Sequence, residues 1–142
     1  MITDYSQRLI VQEVSPRDGL QIEPTWVETA DKVQLIDQLS LAGFTRIEAG
    51  SFVSPKAIPA LRDGEQVFQG IARRPGVIYV ALIPNLKGAQ RALHAEADEL
   101  NLVLSASQSH NLANMRMTRE QSLAAFADVV SLAGNSLSLI HI

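Results

Sequence analysis

The stretch VIYVALIPNLKGAQRALHAEADELNLVLS, residues 77–105, contains one complete strand–helix–strand unit. Val77–Ile83 is a short, continuous apolar run, which is typical of a strand covered on both faces. Asn85 is a good N-cap for the helix that follows it, and Glu99–Ser105 predicts a second strand. Because one helix connects the two strands, we expect them to be parallel, with a right-handed crossover.

The same alternation continues on both sides of this unit. Arg8–Val14 and the strand-like segment Thr45–Phe52 predict two earlier strands, and we expect the second of them to end at Glu48. Thr118 and Gln121 have capping-box spacing at the start of a last helix. Apolar residues at helical spacing predict the remaining helices. The residues with this spacing are Val33, Ile36 and Leu39, then Val67, Phe68 and Ile71, and finally Leu123, Phe126, Ala127 and Val130.

Four consecutive strand-then-helix units, each of about 30 residues, predict an α/β fold with parallel strands. The first helix has Thr25 or Thr29 as its candidate N-cap, and Gly43 lies just past its end. Two architectures fit this pattern: a doubly wound open sheet, and part of a (β/α)8 barrel. In both, ligands bind beyond the carboxyl ends of the strands, so the residues that follow each strand are the candidate site residues.

Composition excludes several classes of protein. The chain has 142 residues, 46% of them hydrophobic and 19% charged, which is typical of one globular domain. A net charge of -3 with scattered lysines and arginines gives no reason to expect nucleic acid as a partner. No apolar run approaches the roughly 20 residues that cross a bilayer. The absence of cysteine excludes disulfides and thiolate chemistry within the chain. We therefore expect a soluble, cytoplasmic protein that binds neither nucleic acid nor membrane.

Polar residues follow each predicted strand. After the first strand, Arg17 and Asp18 are adjacent and lie between Pro16 and Gly19. One interpretation is a type I turn that starts at Ser15 and leaves a solvated ion pair. The other interpretation is the rim of an active site. No glycine-rich dinucleotide motif or P-loop follows any of these strands.

Four motifs then indicate a family: EVSPRDGLQ, IEAGSFVSPK, IPNLKG and SASQSHN. With them the chain resembles the 3-hydroxy-3-methylglutaryl-CoA lyases, members of a superfamily of metal-dependent TIM-barrel lyases and Claisen-type synthases. The resemblance extends from about Leu9 to Leu132, with the motifs in the right order and spacing. The Arg-Asp pair is shared across the superfamily, whereas SFVSPK and PNLKG point to the lyase branch.

The resemblance implies a truncated half-barrel in residues 1–136, made of the first four β/α units of a TIM barrel, since a complete barrel needs about 250 residues. Residues 137–142 read LSLIHI and look like a translated sequencing adapter, so we expect a non-native tail outside the fold. We expect the full-length parent to be a homo-oligomer. We expect the half-barrel to self-associate, because it leaves two open sheet edges and exposes an apolar inner face.

The resemblance also implies a reaction. A base removes the proton of the C3 hydroxyl of 3-hydroxy-3-methylglutaryl-CoA, the C2–C3 bond breaks, and acetoacetate and the enolate of acetyl-CoA form. Asp18 is implied to bind a divalent cation, Mg²⁺ or Mn²⁺, whose other ligands would lie beyond this chain. Arg17 is implied to stabilise the enolate, and Glu48 to be a catalytic acidic residue near the metal and the substrate hydroxyl. The alternative for Glu48 is an interior carboxylate paired with Arg17.

Further residues are implied to contact the acyl-CoA substrate. Gln21 and Ser51 match substrate contacts, although a loop hydrogen bond to the backbone explains each of them equally well. Lys87 would meet a phosphate or carboxylate of CoA, or else is a surface lysine in the first turn of a helix. Ser105 and Ser107 would line the wall of the pocket.

The rest of the family's site would lie beyond this chain, namely a His-X-His pair, an asparagine ligand and a glycine-rich loop with a cysteine. We therefore expect His110 to be a loop residue and not a metal ligand, and the chain alone to be inactive. The alternatives are a lyase for a longer 3-hydroxy-3-alkylglutaryl-CoA, a Claisen-type acyl-CoA synthase of the same superfamily, and a non-catalytic half-barrel module.

Overall fold

A computed structural model describes residues 9–134 of the chain, together with the backbone of residues 139–141. Its centre is one parallel sheet with its strands in chain order: β1 (Arg46–Ser51), β2 (Ile78–Ile83), β3 (Glu99–Leu102) and β4 (Leu139–His141). The helices are α1 (Thr29–Leu41), α2 (Gly64–Gly70), α3 (Leu86–His94), α4 (Gln108–Met115) and α5 (Arg119–Ala133). Successive strands are neighbours without a reversal of order, which favours the barrel over the doubly wound sheet.

The two faces of the sheet differ in polarity. One face packs against the helices in a single apolar core that includes Ile36, Ile47, Phe68, Tyr79, Ile83, Leu100 and Val129. Since successive strand residues point to opposite faces, the residues between the core positions lie on the other, inner face. There β1 carries Arg46 and Glu48, and β3 carries Glu99 and Asn101. Between them β2 carries the apolar Ile78, Val80 and Leu82. The inner face is therefore mixed, and the apolar inner face expected from the sequence is confined to β2.

The first predicted strand is reduced to a single bridge. Glu13 pairs in parallel with Ile47, and its amide donates to the Arg46 carbonyl at 2.9 Å. Before it, Leu9–Val11 are exposed and form no strand, and Arg8 lies outside the described residues. The prediction of a full strand at Arg8–Val14 was wrong in extent. The segment has a paired strand on one side only, so its apolar side chains have little to pack against.

The end of β1 also differs from the prediction. Glu48 pairs with Val80 and Gly50 with Ala81, so Ala49 is an extra residue in β1 and the strand is bulged there. The strand does not end at Glu48, as predicted, but continues to Ser51. Ser51 is consequently a buried strand residue and not part of an exit loop.

The helix ends confirm some cap predictions and correct others. Asn85 caps α3 by accepting from the Gly88 amide at 3.0 Å, and α5 begins with the predicted capping box of Thr118 and Gln121. Glu28, and neither Thr25 nor Thr29, is the residue before α1, and the Thr29 hydroxyl donates to Asp63 Oδ2 at 2.7 Å. Helix α4 was not predicted, and it contains His110, which is therefore an exposed helical residue and not a loop residue. None of the described helices is long and apolar enough to cross a membrane.

The last described segment extends the sheet. The backbone of Leu139–His141 pairs in parallel with β3, with Leu139 opposite Glu99. We expected residues 137–142 to lie outside the fold, yet three of them occupy the position next to β3. The boundary that we predicted between residues 136 and 137 lies outside the described residues, and the non-native origin of the tail stays a prediction.

Candidate active site

The Ser15–Gly19 segment forms one π-helical turn where the first extended segment leaves the sheet. The amides of Arg17 and Asp18 donate to the Val14 carbonyl at 3.0 and 2.7 Å. The Glu13 carboxylate accepts from the first amide of the turn at 2.7 Å, and this hydrogen bond lowers the pKa of Glu13. The turn is therefore wider than the type I turn considered above, and hydrogen bonds fix its start.

Arg17 extends from this turn to the inner face, where it pairs with Glu48 of β1. Its Nε donates to Glu48 Oε1 at 2.5 Å, and its Nη1 donates to Asp18 Oδ1 at 2.5 Å. The side chain of Glu48 is 1% exposed and that of Arg17 is 15% exposed, whereas that of Asp18 is 61% exposed. The sequence neighbours Arg17 and Asp18 thus occupy different environments, one against the sheet and one in solvent.

Two residues that the sequence analysis missed complete the surroundings of Glu48. Gln12 Nε2 donates to Glu48 Oε2 at 3.0 Å, and Asn101 Nδ2 donates to the same oxygen at 3.1 Å. Both oxygens of this buried carboxylate therefore have donors, which compensates the cost of removing it from water. A signal for both residues was present, because each is an amide side chain inside a predicted strand, where a covered polar group needs a partner.

A cavity of ≈440 Å³ lies beside this pair at the carboxyl ends of the strands. Arg17 and Gln21 line it, and the other lining residues are largely apolar: Val53, Ala57, Ile58, Leu82, Ile83, Pro84, Asn85, Val103, Asn114, Met115 and Met117. A larger cavity of ≈650 Å³ lies at the opposite end, and among the described residues Arg46 is the charged one that lines it. We take the smaller cavity as the candidate site, because it adjoins the paired ionisable groups.

The structure does not bring all the predicted substrate contacts to this cavity. Ser51, Lys87, Ser105 and Ser107 are not among the residues that line it. The Ser51 hydroxyl accepts from the Val53 amide at 3.4 Å, and the Ser107 hydroxyl caps α4. Lys87 is exposed in the first turn of α3, where we placed it in the alternative interpretation.

Ser105 is held by a third residue that the sequence analysis missed, Asn111. The Ser105 amide donates to Asn111 Oδ1 at 3.1 Å. Asn111 is fully buried, and its Nδ2 donates to the Met117 carbonyl at 2.9 Å and to Ser122 Oγ at 2.8 Å. Asn111 therefore joins the exit of β3 to α5 and to the backbone of Met117, a residue that lines the cavity.

Asp18, the candidate metal ligand, fits that role in part. It offers a solvent-exposed carboxylate at the carboxyl ends of the strands, and Mg²⁺ and Mn²⁺ prefer oxygen ligands of this kind. Among the described residues, no group of three or more His, Asp or Glu side chains lies close enough together to hold a metal ion. The described part of the chain therefore provides one suitable ligand and not a complete site.

Comparison with known proteins identifies the family. Residues 8–138 match the family model described as HMGL-like. The chain belongs to the HMGL-like family. This confirms the resemblance that the four motifs indicated.

The relatives of this HMGL-like chain are considerably longer than it is. A hydroxymethylglutaryl-CoA lyase of Bacillus subtilis is 47% identical over 119 residues, which cover 84% of this chain and 40% of the relative. An HMG-CoA lyase from Acinetobacter baumannii, solved in complex with coenzyme A and 3-methylmalate, is 66% identical with a TM-score of 0.91. That similarity covers 98% of this chain and 45% of the solved one. The chain therefore spans less than half the length of these relatives and forms a partial (β/α) barrel, as predicted.

Proposed function

We propose that this chain supplies part of the active site of a divalent-metal-dependent lyase that cleaves 3-hydroxy-3-methylglutaryl-CoA to acetyl-CoA and acetoacetate. The observation that carries the proposal is the pairing of Arg17 with the buried Glu48 carboxylate beside a largely apolar cavity of ≈440 Å³. The names of the relatives support this substrate class. Because the chain spans less than half of them, the activity is proposed for a protein that also contains the remaining strands.

Arg17 stabilises the enolate in this proposal. Cleavage of the C2–C3 bond leaves negative charge on the thioester oxygen, and a cation already fixed beside that oxygen lowers the barrier. Glu48 and Asp18 hold the guanidinium through Nε and Nη1, while the side chain lines the cavity. Arg17 therefore does not need to reorient during the reaction, and Nη2 is the donor that we assign to the oxygen.

Glu48 positions Arg17. Its two oxygens accept three hydrogen bonds, from Arg17, Gln12 and Asn101, as expected of an ionised carboxylate. The alternative is the direct role near the substrate hydroxyl that the family resemblance implied. That role requires Glu48 to give up one of these hydrogen bonds when the substrate binds.

Asp18 contributes one oxygen ligand for the cation, Mg²⁺ or Mn²⁺, and the other ligands come from outside the described residues. When bound, this cation stabilises negative charge on an oxygen of the substrate. The hydrogen bond from Arg17 Nη1 to Asp18 Oδ1 holds the carboxylate in one orientation. The same arginine thus orients the ligand residue and faces the cavity.

Gln21 contacts the substrate, because it lines the cavity together with Arg17. Contacts from Ser51, Lys87, Ser105 and Ser107 stay predictions. For Ser107 the helix-capping hydrogen bond supplies a sufficient structural reason, since its hydroxyl accepts from the His110 amide at 3.2 Å.

A second candidate is a lyase for a longer 3-hydroxy-3-alkylglutaryl-CoA. The cavity wall near Arg17 includes Val53, Leu82, Met115 and Met117, all of them apolar, and methionine adapts readily to ligands of different shape. A Pseudomonas aeruginosa relative, 46% identical over 121 residues, is named 3-hydroxy-3-isohexenylglutaryl-CoA/hydroxymethylglutaryl-CoA lyase. Comparing cleavage of the two thioesters separates the two candidates.

Assembly and location stay predictions of this proposal. We expect a homo-oligomeric full-length protein and self-association of this chain alone, with the open sheet edges as the main cause. A cytoplasmic location is our expectation for this chain. The animal relatives include proteins named as mitochondrial and as cytoplasmic, so family membership is compatible with either location.

A chimera tests the proposed function. Residues 9–134 of this chain replace the matching residues of the Acinetobacter baumannii enzyme, a substitution that 66% identity makes structurally conservative. We expect the chimera to release acetoacetate from 3-hydroxy-3-methylglutaryl-CoA, and the 142-residue chain alone to release none. Arg74→Gln, which removes an exposed arginine before β2, is the control and retains activity.

Two results would count against the proposal. A chimera that is folded by circular dichroism but inactive with Mg²⁺ and with Mn²⁺ would refute the assignment of these residues to a lyase site. Cleavage by the chain alone would refute our view that the site needs residues from elsewhere.

A further inference from the structure

Gln12 lies on the inner face of the sheet, between two charged side chains of β1. Its Nε2 donates to Glu48 Oε2 at 3.0 Å, and its Oε1 accepts from Arg46 Nε at 3.5 Å. The next residue, Glu13, forms the bridge to Ile47. Because the two charged residues flank Ile47 in β1, this backbone pairing places the Gln12 side chain beside both of them.

The charges on its two sides fix the orientation of the Gln12 amide. A guanidinium can only donate hydrogen bonds, and an ionised carboxylate can only accept them. The amide oxygen therefore faces Arg46, and the amide NH₂ group faces Glu48. The reversed amide would set donor against donor on one side and acceptor against acceptor on the other. Gln12 is thus held in one arrangement between a cation and an anion.

These contacts join the two ends of the inner face. At the strand-entry end, Arg46 Nη2 donates to Oε1 of Glu99, which is fully buried. At the strand-exit end, Arg17 Nε donates to Glu48 Oε1 at 2.5 Å. One continuous chain of hydrogen bonds therefore crosses the inner face through Glu99, Arg46, Gln12, Glu48 and Arg17.

We propose that Gln12 is a positioning residue for Arg17, and that it couples the Arg46–Glu99 pair to the Arg17–Glu48 pair. This inference rests on the proposed function, since it concerns the arginine that we assign to the enolate. Rotation of the Glu48 carboxylate would move the guanidinium that its Oε1 holds beside the cavity. Gln12 opposes that rotation at Oε2, and Arg46 in turn holds Gln12.

The effect on the reaction is measured with the chimera described above. Gln12→Met keeps the length of the side chain and removes both hydrogen bonds. We expect kcat to fall about fivefold with KM within about twofold, because a displaced Arg17 stabilises the transition state less well. Gln12→Glu keeps an oxygen for Arg46 but sets a carboxylate against Glu48, and should lower kcat about twentyfold. Gln66→Met, at an exposed glutamine of α2, is the matched control and should leave kcat within about twofold.

A double-variant cycle tests the coupling between the two pairs. Arg46→Lys keeps a cation for Glu99 and removes the Nε donor that holds Gln12. It should lower kcat about threefold when Gln12 is present, and change it less than about 1.5-fold when Gln12→Met has already broken the chain of hydrogen bonds. Effects of the two substitutions that simply multiply in the double variant would overturn the inference.

Urea unfolding of the 142-residue chain at one fixed concentration repeats the cycle without any activity. The same non-additivity is expected in the unfolding equilibrium constant. Non-additive unfolding together with an inactive chimera would keep the coupling of the two pairs and refute the lyase. An active chimera in which Gln12→Met leaves kcat unchanged, or raises KM as much as it lowers kcat, would keep the lyase and refute the positioning role of Gln12.

Discussion

Two arginine–glutamate pairs lie on the inner face of the same sheet, and their surroundings differ. At the strand-exit end, Arg17 pairs with Glu48, and both carboxylate oxygens have donors. At the strand-entry end, Arg46 of β1 pairs with Glu99 of β3. Glu99 is fully buried, and no described residue donates a hydrogen bond to its Oε2.

This difference separates a pair suited to chemistry from a pair needed for folding. Glu48 also accepts hydrogen bonds from two neutral side chains, Gln12 and Asn101. The Glu48 carboxylate therefore orients Arg17 but does not depend on Arg17 alone to compensate its burial. Glu99 depends mainly on Arg46, because an ionised group inside a protein is tolerated only when it is paired. We therefore expect loss of Arg17 to affect catalysis first, and loss of Arg46 to affect stability first.

Arg46→Met should have the largest effect. It leaves the buried Glu99 carboxylate without its cation, which costs about 3–5 kcal/mol of stability for a broken buried pair. The measurement is urea unfolding of the chimera, followed by circular dichroism. The double variant Arg46→Met, Glu99→Leu is the matched control and should recover most of the loss, since an apolar replacement of the whole pair leaves no buried charge. If Arg46→Met alone left the chimera as stable as the unmodified chimera, the proposed difference between the Arg46–Glu99 and Arg17–Glu48 pairs would be wrong.

Arg17→Gln should lower kcat of the chimera by about 10²–10³, the usual cost of losing one preorganised donor to a developing oxyanion. Its unfolding midpoint should fall less than that of Arg46→Met, because Gln12 and Asn101 still donate to Glu48. Acetoacetate release at saturating substrate measures the first effect and urea unfolding the second. Equal stability losses for the two variants would show that the pairs have the same role.

Asn101→Leu should have an intermediate effect. It removes one donor to Glu48 Oε2, and an incompletely satisfied buried carboxylate costs about 1–3 kcal/mol. We expect kcat to fall about tenfold because the Arg17–Glu48 pair shifts, with a smaller change in KM. Asn114→Leu is the control, since Asn114 is exposed at the cavity and should change stability by about 0.5 kcal/mol or less. If Asn114→Leu lowered kcat as much as Asn101→Leu, the effect would belong to the cavity wall and not to Glu48.

The sequence predicted those parts of the fold that are determined locally. Strand β2 follows from a continuous apolar run, and α3 and α5 begin at the predicted caps, Asn85 and Thr118. Helix α4 was missed because its eight residues carry few apolar positions, and its cap, Ser107, lies in a run of small polar residues. The pairing of Leu139–His141 with β3 was missed because strand pairing depends on contacts distant in sequence, and a three-residue segment has too short a pattern to predict it.

The candidate site was predicted less completely than the fold. Arg17 and Glu48 were expected to lie close together, and an Arg17–Glu48 pair was one of the two interpretations for Glu48. Asn101 was not expected, because its hydrogen bond to Glu48 joins residues 53 positions apart in the chain. A one-residue bulge near Ala49 decides which β1 residues reach the inner face, and no local pattern in the sequence predicts that bulge.

Glu13→Gln should have the smallest effect. It tests the backbone segment that lies between the two arginine–glutamate pairs. Glu13 bridges β1 between Arg46 and Glu48, and its carboxylate fixes the turn that carries Arg17. The Ser15 amide lowers the pKa of Glu13 below its ordinary value of 4.5. Its folded pKa therefore lies below its unfolded pKa, so its stabilisation is complete above the unfolded pKa and is lost as the pH falls through the folded pKa.

Glu13→Gln should accordingly lower the stability of the chimera by about 0.5 kcal/mol at about pH 7 and by less at acid pH, because protonation of the native carboxyl removes its own stabilisation as the pH falls through the folded pKa. Urea unfolding at both pH values gives the difference. Glu65→Gln is the matched control, because hydrogen bonds from Arg91 lower the pKa of Glu65 on the helix side of the sheet. Both variants should lose pH-dependent stability, but Glu13→Gln alone should also lower kcat, since it alone loosens the turn that holds Arg17. A fall in kcat for Glu65→Gln of the same size would mean that activity follows overall stability and not the placement of Arg17.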